Sequence, residues 1–346
     1  MSVISYKCPN CGGDLRFDPQ SQKYKCEFCV SLFNQEELED TNPQAKAGTA
    51  QEGAEESHAM VYSCPSCGAE VVTDETTAAT FCYYCHNPVV LKGRLEGEYL
   101  PEKVIPFQID RESALKQFLD YVKKKKFVPG AFFNQKQVEK LTGVYFPYWV
   151  CREEMQGELR ATATNVRIWR AGEIEYTETK FYDVERAGNI YLEELTRNAL
   201  QKANRELVEG VLPFPLQDGC AFSMGYLSGF QAEKRDLEKK DLQGEVVQES
   251  EGYAKKLLRD SIHGYATVTT KDARISVDSE EWDYVLLPVW TLTYRGKDGK
   301  LFYYAMNGAT GKVCGKFPID YGKIAILFLA IFIPVLMLGL LGGYFI

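Results

Sequence analysis

The chain has 346 residues, 45% hydrophobic and 13% aromatic, a composition that excludes a disordered tether and leaves room for a packed body. Its formal charge of −8 argues against nucleic acid as a partner, because phosphate binding needs an excess of cations. Nothing at the start of the sequence resembles a secretory leader, so its thiols are expected in the reducing cytosol.

The first element is a cysteine pattern. Cys8, Cys11, Cys26 and Cys29, then Cys64, Cys67, Cys82 and Cys85, form two copies of Cys-x2-Cys-x14-Cys-x2-Cys. A two-residue gap turns both sulfurs of a pair toward one point, and the longer gap fits a hairpin carrying the second pair. Each copy is therefore expected to hold one tetrahedral Zn2+ on four thiolates. Both copies begin Cys-Pro-x-Cys-Gly (8–12 and 64–68), where proline fixes φ and glycine admits φ > 0. Disulfide-stapled modules are the competing reading, which a reducing compartment disfavours. The residues resemble the zinc-ribbon family, as in the transcription factor TFIIB. The resemblance implies ribbon 1 at residues 1–35, ribbon 2 at 61–95 and two structural Zn2+. His86 follows Cys85 directly, but four cysteines already fill a tetrahedron.

Between the ribbons, residues 36–60 carry Glu36, Glu37, Glu39, Asp40, Glu52, Glu55 and Glu56 against Lys46, the composition of a solvated, flexible linker. Ribbon 1 mixes Lys7, Arg16, Lys23 and Lys25 with Asp14, Asp18 and Glu27, whereas residues 63–91 hold Glu70, Asp74 and Glu75 but no lysine or arginine. Protein binding suits such surfaces better than nucleic acid.

From residue 100 the texture changes to that of an antiparallel α+β body. Val104 to Phe107 reads as a short strand and Ile109 to Lys126 as an amphipathic helix with Ala114, Phe118, Tyr121 and Val122 on one side. Lys123 to Lys126 fit either attraction to anionic lipid or a helix end answering its own dipole, and we prefer the second. Strands are expected over Val144–Val150, Glu158–Ala163, Val166–Arg170 and Glu175–Asp183, with turns at Ala171-Gly172 and Gly188-Asn189. A helix is expected over about Leu195–Glu209. Leu212-Pro-Phe then echoes Ile105-Pro-Phe, and Leu287-Pro-Val-Trp echoes Phe146-Pro-Tyr-Trp. The echoes suggest two related halves, 100–210 and 211–320. The second carries a charged insertion over 231–262, read as one long helix or a pair broken near Gly244 and Gly252. Residues 302–313 read as a hairpin similar to the end of PepSY-type domains.

Ile324 to Ile346 contains no charged side chain. As a helix it would measure about 35 Å, enough to cross a bilayer as a single C-terminal transmembrane helix and tail anchor. Lys312, Lys316 and Lys323 precede it against Asp320, which by the positive-inside bias puts the bulk of the chain in the cytoplasm. Catalysis has little to stand on. The histidines, His58, His86 and His263, form no metal or triad spacing, and no phosphate loop, dinucleotide fingerprint or nucleophile elbow occurs. Cys151 and Cys220 read as buried apolar groups, and Cys314 as a palmitoylation candidate. No enzymatic activity is expected.

Over nearly its whole length the chain resembles the bacterial TFIIB-type zinc ribbon-containing membrane proteins. The likeness rests on the tandem Cys-Pro-x-Cys-Gly segments, Ile105-Pro-Phe, Tyr-Phe-Pro-Tyr-Trp at 145–149, Gly-Tyr-Leu-Ser-Gly-Phe-Gln-Ala-Glu at 225–233, Leu-Pro-Val-Trp at 287–290 and Met-Asn-Gly-Ala-Thr-Gly-Lys-Val at 306–313. It implies a cytoplasmic adaptor at the bilayer, working with other membrane proteins and a flotillin-like SPFH partner in an envelope-stress system near the phage-shock protein PspA. A membrane-tethered nucleic-acid-binding regulator is the alternative. The 225–233 motif suggests no chemistry, and its glycines suit close backbone packing.

Overall fold

The computed structural model describes residues 8–13, 15–26, 28–41, 59–63, 70–73, 90–95, 100–130, 140–201, 204–227, 229–233, 235–295 and 300–344. In chain order the strands are β1 (Leu15–Asp18), β2 (Lys23–Cys26), β3 (Leu32–Phe33), β4 (Ala59–Ser63), β5 (Glu70–Thr73), β6 (Val90–Leu95), β7 (Lys103–Val104), β8 (Thr142–Ala171), β9 (Ile174–Asn198), β10 (Cys220–Ala221), β11 (Gln231–Glu233), β12 (Thr267–Arg295), β13 (Leu301–Asn307) and β14 (Val313–Lys316). The helices are α1 (Gln35–Thr41), α2 (Arg111–Lys123), α3 (Arg205–Gly210), α4 (Lys239–Asp260) and α5 (Tyr321–Tyr344). The class is α+β, as expected. Two compact units form: Met1–Pro147 with Lys202–Lys234 and Leu286–Ile346, and Tyr148–Gln201 with Arg235–Val285. Strands β8 and β12 each contribute residues to both.

In the first unit, β1, β2 and β3 make a small antiparallel sheet, and the larger sheet runs β10-β7-β12-β8-β11-β5-β4-β6 with β13 and β14 beyond β12. Helix α2 is set by its sequence. Asp110 caps it by accepting from the Ser113 amide at 2.7 Å, and Ala114, Phe118 and Val122, spaced four apart, form its buried stripe. Phe118 meets Tyr304 of β13 edge-on at 4.8 Å. The core beside it is aromatic: Phe107 stacks on Phe230 at 4.2 Å and touches Tyr145 and Trp290 at 5.0 and 5.1 Å. The hairpin read from 302–313 is present, with Met306 opposite Val313. In its turn the buried Asn307 accepts from the Ala309 and Thr310 amides and donates to the Val211 and Pro213 carbonyls. The Met-Asn-Gly motif is thereby tied to Leu212-Pro-Phe.

In the second unit, β8 and β9 form one long antiparallel hairpin turning at Gly172. The separate strands expected here are merged. Gly188 and Asn189, read as a turn, lie inside the ladder opposite Gly157 and Gln156. A Cβ on Gly157 would approach Leu258 Cδ1 of α4 to 2.7 Å, so close helix packing explains glycine at 157, whereas Gly188 opposite it has open space. The charged insertion is a single unbroken helix, α4, with Gly244 and Gly252 inside it. Leu242, Val246, Ser250, Ala254 and Leu258 are its buried stripe. It covers one hairpin face through Met155, Leu159, Ala161, Val184 and Ile190. The helix expected over Leu195–Glu209 is corrected: β9 continues to Asn198, with Leu195 opposite Cys151, and only α3 is helical. Good helix formers there are overridden by ladder pairing.

The two echoes explain the discontinuous units. Trp290 of the second Pro-x-Trp segment donates its indole N–H to the carbonyl of Ile109, just ahead of the α2 cap, at 2.9 Å. Trp149 of the first donates to Leu237, just ahead of the α4 cap, also at 2.9 Å. Each half of the sequence therefore lends its helix to the hairpin of the other. Replacing Trp290 by Phe deletes this bond and leaves a small void. The full chain should lose about 2 kcal/mol in thermal unfolding, whereas Trp169→Phe at the exposed hairpin end should change stability by less than about 0.5 kcal/mol. Equal effects would contradict the role given to the indole bond.

Candidate metal centre

Residues 8–13 and 26–31 fold into matching turns. The amide of Cys8 donates to the carbonyl of Gly13 at 2.7 Å and that of Gly12 to Cys8 at 2.8 Å. The amide of Cys26 donates to Ser31 at 2.9 Å and that of Val30 to Cys26 at 3.0 Å. The fifth residue of each turn has positive φ, +74° at Gly12 and +61° at Val30. Glycine accepts this freely; a β-branched residue adopts it only where its surroundings impose it.

The turns bring four sulfurs together. Cys8 and Cys29 lie 3.5 Å apart, Cys11 and Cys26 3.4 Å, and all four ligand atoms fall within 4.8 Å of one another. A tetrahedral thiolate centre with metal–sulfur bonds of about 2.3 Å has sulfur edges of about 3.8 Å, so the set fits a metal ion. Cys8 and Cys26 are buried; Cys11 and Cys29 face solvent. Their titration shows why a cation suits them. The Ser31 hydroxyl and amide pull Cys29 down to about 6. Cys11, although the Gly13 amide favours its thiolate, is pushed up to about 12 by hydrogen bonding with Cys26 and Cys29. Crowded thiols ionise one at another's expense, and a divalent ion removes that conflict. Cys64, Cys67, Cys82 and Cys85 lie outside the described residues, as do His58 and His86.

The cysteine hairpin is seated on the motif whose role the sequence left open. Phe17 of β1 and Tyr24 of β2 meet edge-on at 5.7 Å, and Phe17 packs on Tyr226 at 5.1 Å. A Cβ on Gly225 would lie 2.5 Å from the Tyr24 hydroxyl oxygen, and one on Gly229 would lie 3.3 Å from Arg16 Cδ. Gln22 Nε2 donates to the Phe107 carbonyl at 2.8 Å. The next residues of the motif form β11, which pairs antiparallel with β5 and parallel with β8. One short segment thus joins the cysteine hairpin, β5 from the second cysteine segment and the aromatic core. The acidic stretch after the hairpin starts as helix α1, where the Asn34 amide donates to the Glu37 carboxylate at 2.8 Å and Leu38 is fully buried.

The other described cysteines lie elsewhere. Burial pushes Cys151 up to about 12 beside Glu153, whose carboxyl is also raised by burial. Cys220 and Cys314 are raised by burial as well. These are protonated thiols at neutral pH, the opposite of an activated nucleophile. His263 is exposed. Among the described residues, the Cys8 cluster is the group of three or more His, Cys, Asp or Glu ligand atoms that closes on one point.

Comparison with known proteins gives a full-length relative, the "Uncharacterized protein YdjG" of Bacillus subtilis (strain 168), 32% identical over 350 residues covering 99% of this chain and 100% of that one. The chain belongs to the YdjG family. No protein-family profile matches it, and no solved structure matches it. The family match takes in the cysteine cluster, the body and the apolar helix together, so these parts belong to one protein type and not to a chance fusion.

The seat predicts a specific defect. Gly225→Ala places a methyl group against a tyrosine that is 2% exposed, and overpacking of this kind costs about 1–3 kcal/mol. Limited proteolysis of the full chain should then cut residues 8–41 faster, with residues 148–201 as protected as in the wild type. Unchanged cleavage of 8–41 would contradict the seating.

Proposed function

We propose that this chain is a membrane-anchored cytoplasmic adaptor whose two cysteine modules are structural zinc ribbons that recruit a protein partner. The observation that carries this is the two-sidedness of the cysteine hairpin. Phe17 and Tyr24 are buried against the body, while Phe28, Val30 and Leu32, at and after the second knuckle, stay 76%, 63% and 47% exposed. Apolar side chains held outward on a metal-braced turn suit a small protein contact. Helix α5 supports the anchor: residues Tyr321–Leu340 have mean hydropathy 2.6 and are unburied, as a lipid-facing helix would be. The lysines ahead of it favour a cytoplasmic body. Lys316 lies 4.0 Å from Glu206, and Lys323 Nζ donates to the Val128 carbonyl at 2.7 Å. Thiolate zinc sites fit the same reducing side. Envelope-stress partners of the flotillin-like or PspA kind remain the expectation drawn from resemblance.

Affinity purification from solubilised membranes tests the reading. Phe28→Ser with Val30→Ser should lower partner recovery at least about tenfold, while the protein stays in the membrane fraction and keeps its metal. Recovery equal to wild type would remove the knuckle as the contact.

A further inference from the structure

We propose that the first unit carries a binding site for the headgroup of an anionic phospholipid, where the end of α2 meets the start of α5. Lys124, Lys125 and Lys126 with Phe127, Val128, Phe317, Pro318 and Ile319 line a cavity of about 360 Å³. The lining pairs cations with apolar side chains and includes no carboxylate. That is the chemistry of a phospholipid at its glycerol level, a charged phosphate above and acyl chains below.

Position argues for lipid more strongly than charge alone. The Asp320 amide donates to the Phe127 carbonyl at 2.7 Å, and Lys323 Nζ donates to the Val128 carbonyl at 2.7 Å. Asp320 also caps α5, accepting from the Gly322 and Lys323 amides at 3.1 and 3.3 Å. The loop bearing the lysines is thus fixed to the residues from which the apolar helix departs. Ile319 and Tyr321 there are 54% and 76% exposed, an apolar and an aromatic side chain of the kind that settles in a bilayer interface. Two of the lysines have side-chain partners within the helix: Lys123 pairs with Asp120 at 3.8 Å and Lys125 lies over the Tyr121 ring at 4.8 Å. Lys124 and Lys126 face no carboxylate among the described residues. A free phosphate offers the same anion but leaves the apolar half of the cavity wet.

The test is native mass spectrometry of the full chain released from detergent holding equal amounts of phosphatidylglycerol and phosphatidylcholine. Wild type should retain phosphatidylglycerol preferentially, and Lys124→Gln/Lys125→Gln/Lys126→Gln should lose about fivefold in preference per lysine. The control Lys239→Gln/Lys240→Gln/Lys256→Gln, on the exposed face of α4, removes equal charge and should keep the preference. No preference in wild type, or an equal loss in the control, overturns the site. Displacement of phosphatidylglycerol by millimolar inorganic phosphate overturns its assignment to a lipid.

Discussion

Four thiols held within 4.8 Å of one another constrain the N-terminal part of this protein. Two turns of the same hydrogen-bond pattern exist to converge the sulfurs, and one tolerates a left-handed valine to do so. A hairpin of this size buries too little apolar surface to fold unaided. A metal ion among the thiolates would supply folding energy directly, because the site does not exist in the unfolded chain. The benefit passes outward: an ordered hairpin presents Phe17 and Tyr24 together, and these meet Tyr226 and the bare backbone of Gly225.

The body is built on a second constraint, the reciprocal use of two tryptophans. A Pro-x-Trp segment in each long strand sends its indole to the backbone just ahead of a helix cap from the other half. Neither half is therefore a compact unit by itself, and the chain must be synthesised through Trp290 before α2 finds its final partner. The same device fixes where α2 begins, and the bonds from Asp320 and Lys323 hold the lysine loop at its other end beside the helix that can enter the bilayer.

Some of this was legible in the sequence. The cysteine spacing picked out the four thiols that converge in the first cluster, and helix α2, the 302–313 hairpin and the apolar C-terminal helix follow from local periodicity. What was hidden depended on contacts remote in sequence. The tryptophan echoes suggested related halves, but nothing local says that the halves exchange helices. Gly188-Asn189 reads as a turn until it is known to pair with Gly157 and Gln156 of β8. Residues 195–204 contain good helix formers, and only pairing with β8 makes their first part a strand. The 225–233 motif carried a usable signal, two glycines flanking aromatics. Its meaning required knowing that Tyr24 and Arg16 lie over those glycines.

The most direct measurement is X-ray absorption on the metal bound to the purified full-length chain. Four sulfur neighbours at about 2.3 Å, with none from nitrogen or oxygen, is the predicted first shell. A shell containing nitrogen or oxygen, or a metal-free chain with Cys8, Cys11, Cys26 and Cys29 joined in disulfides, would contradict the account.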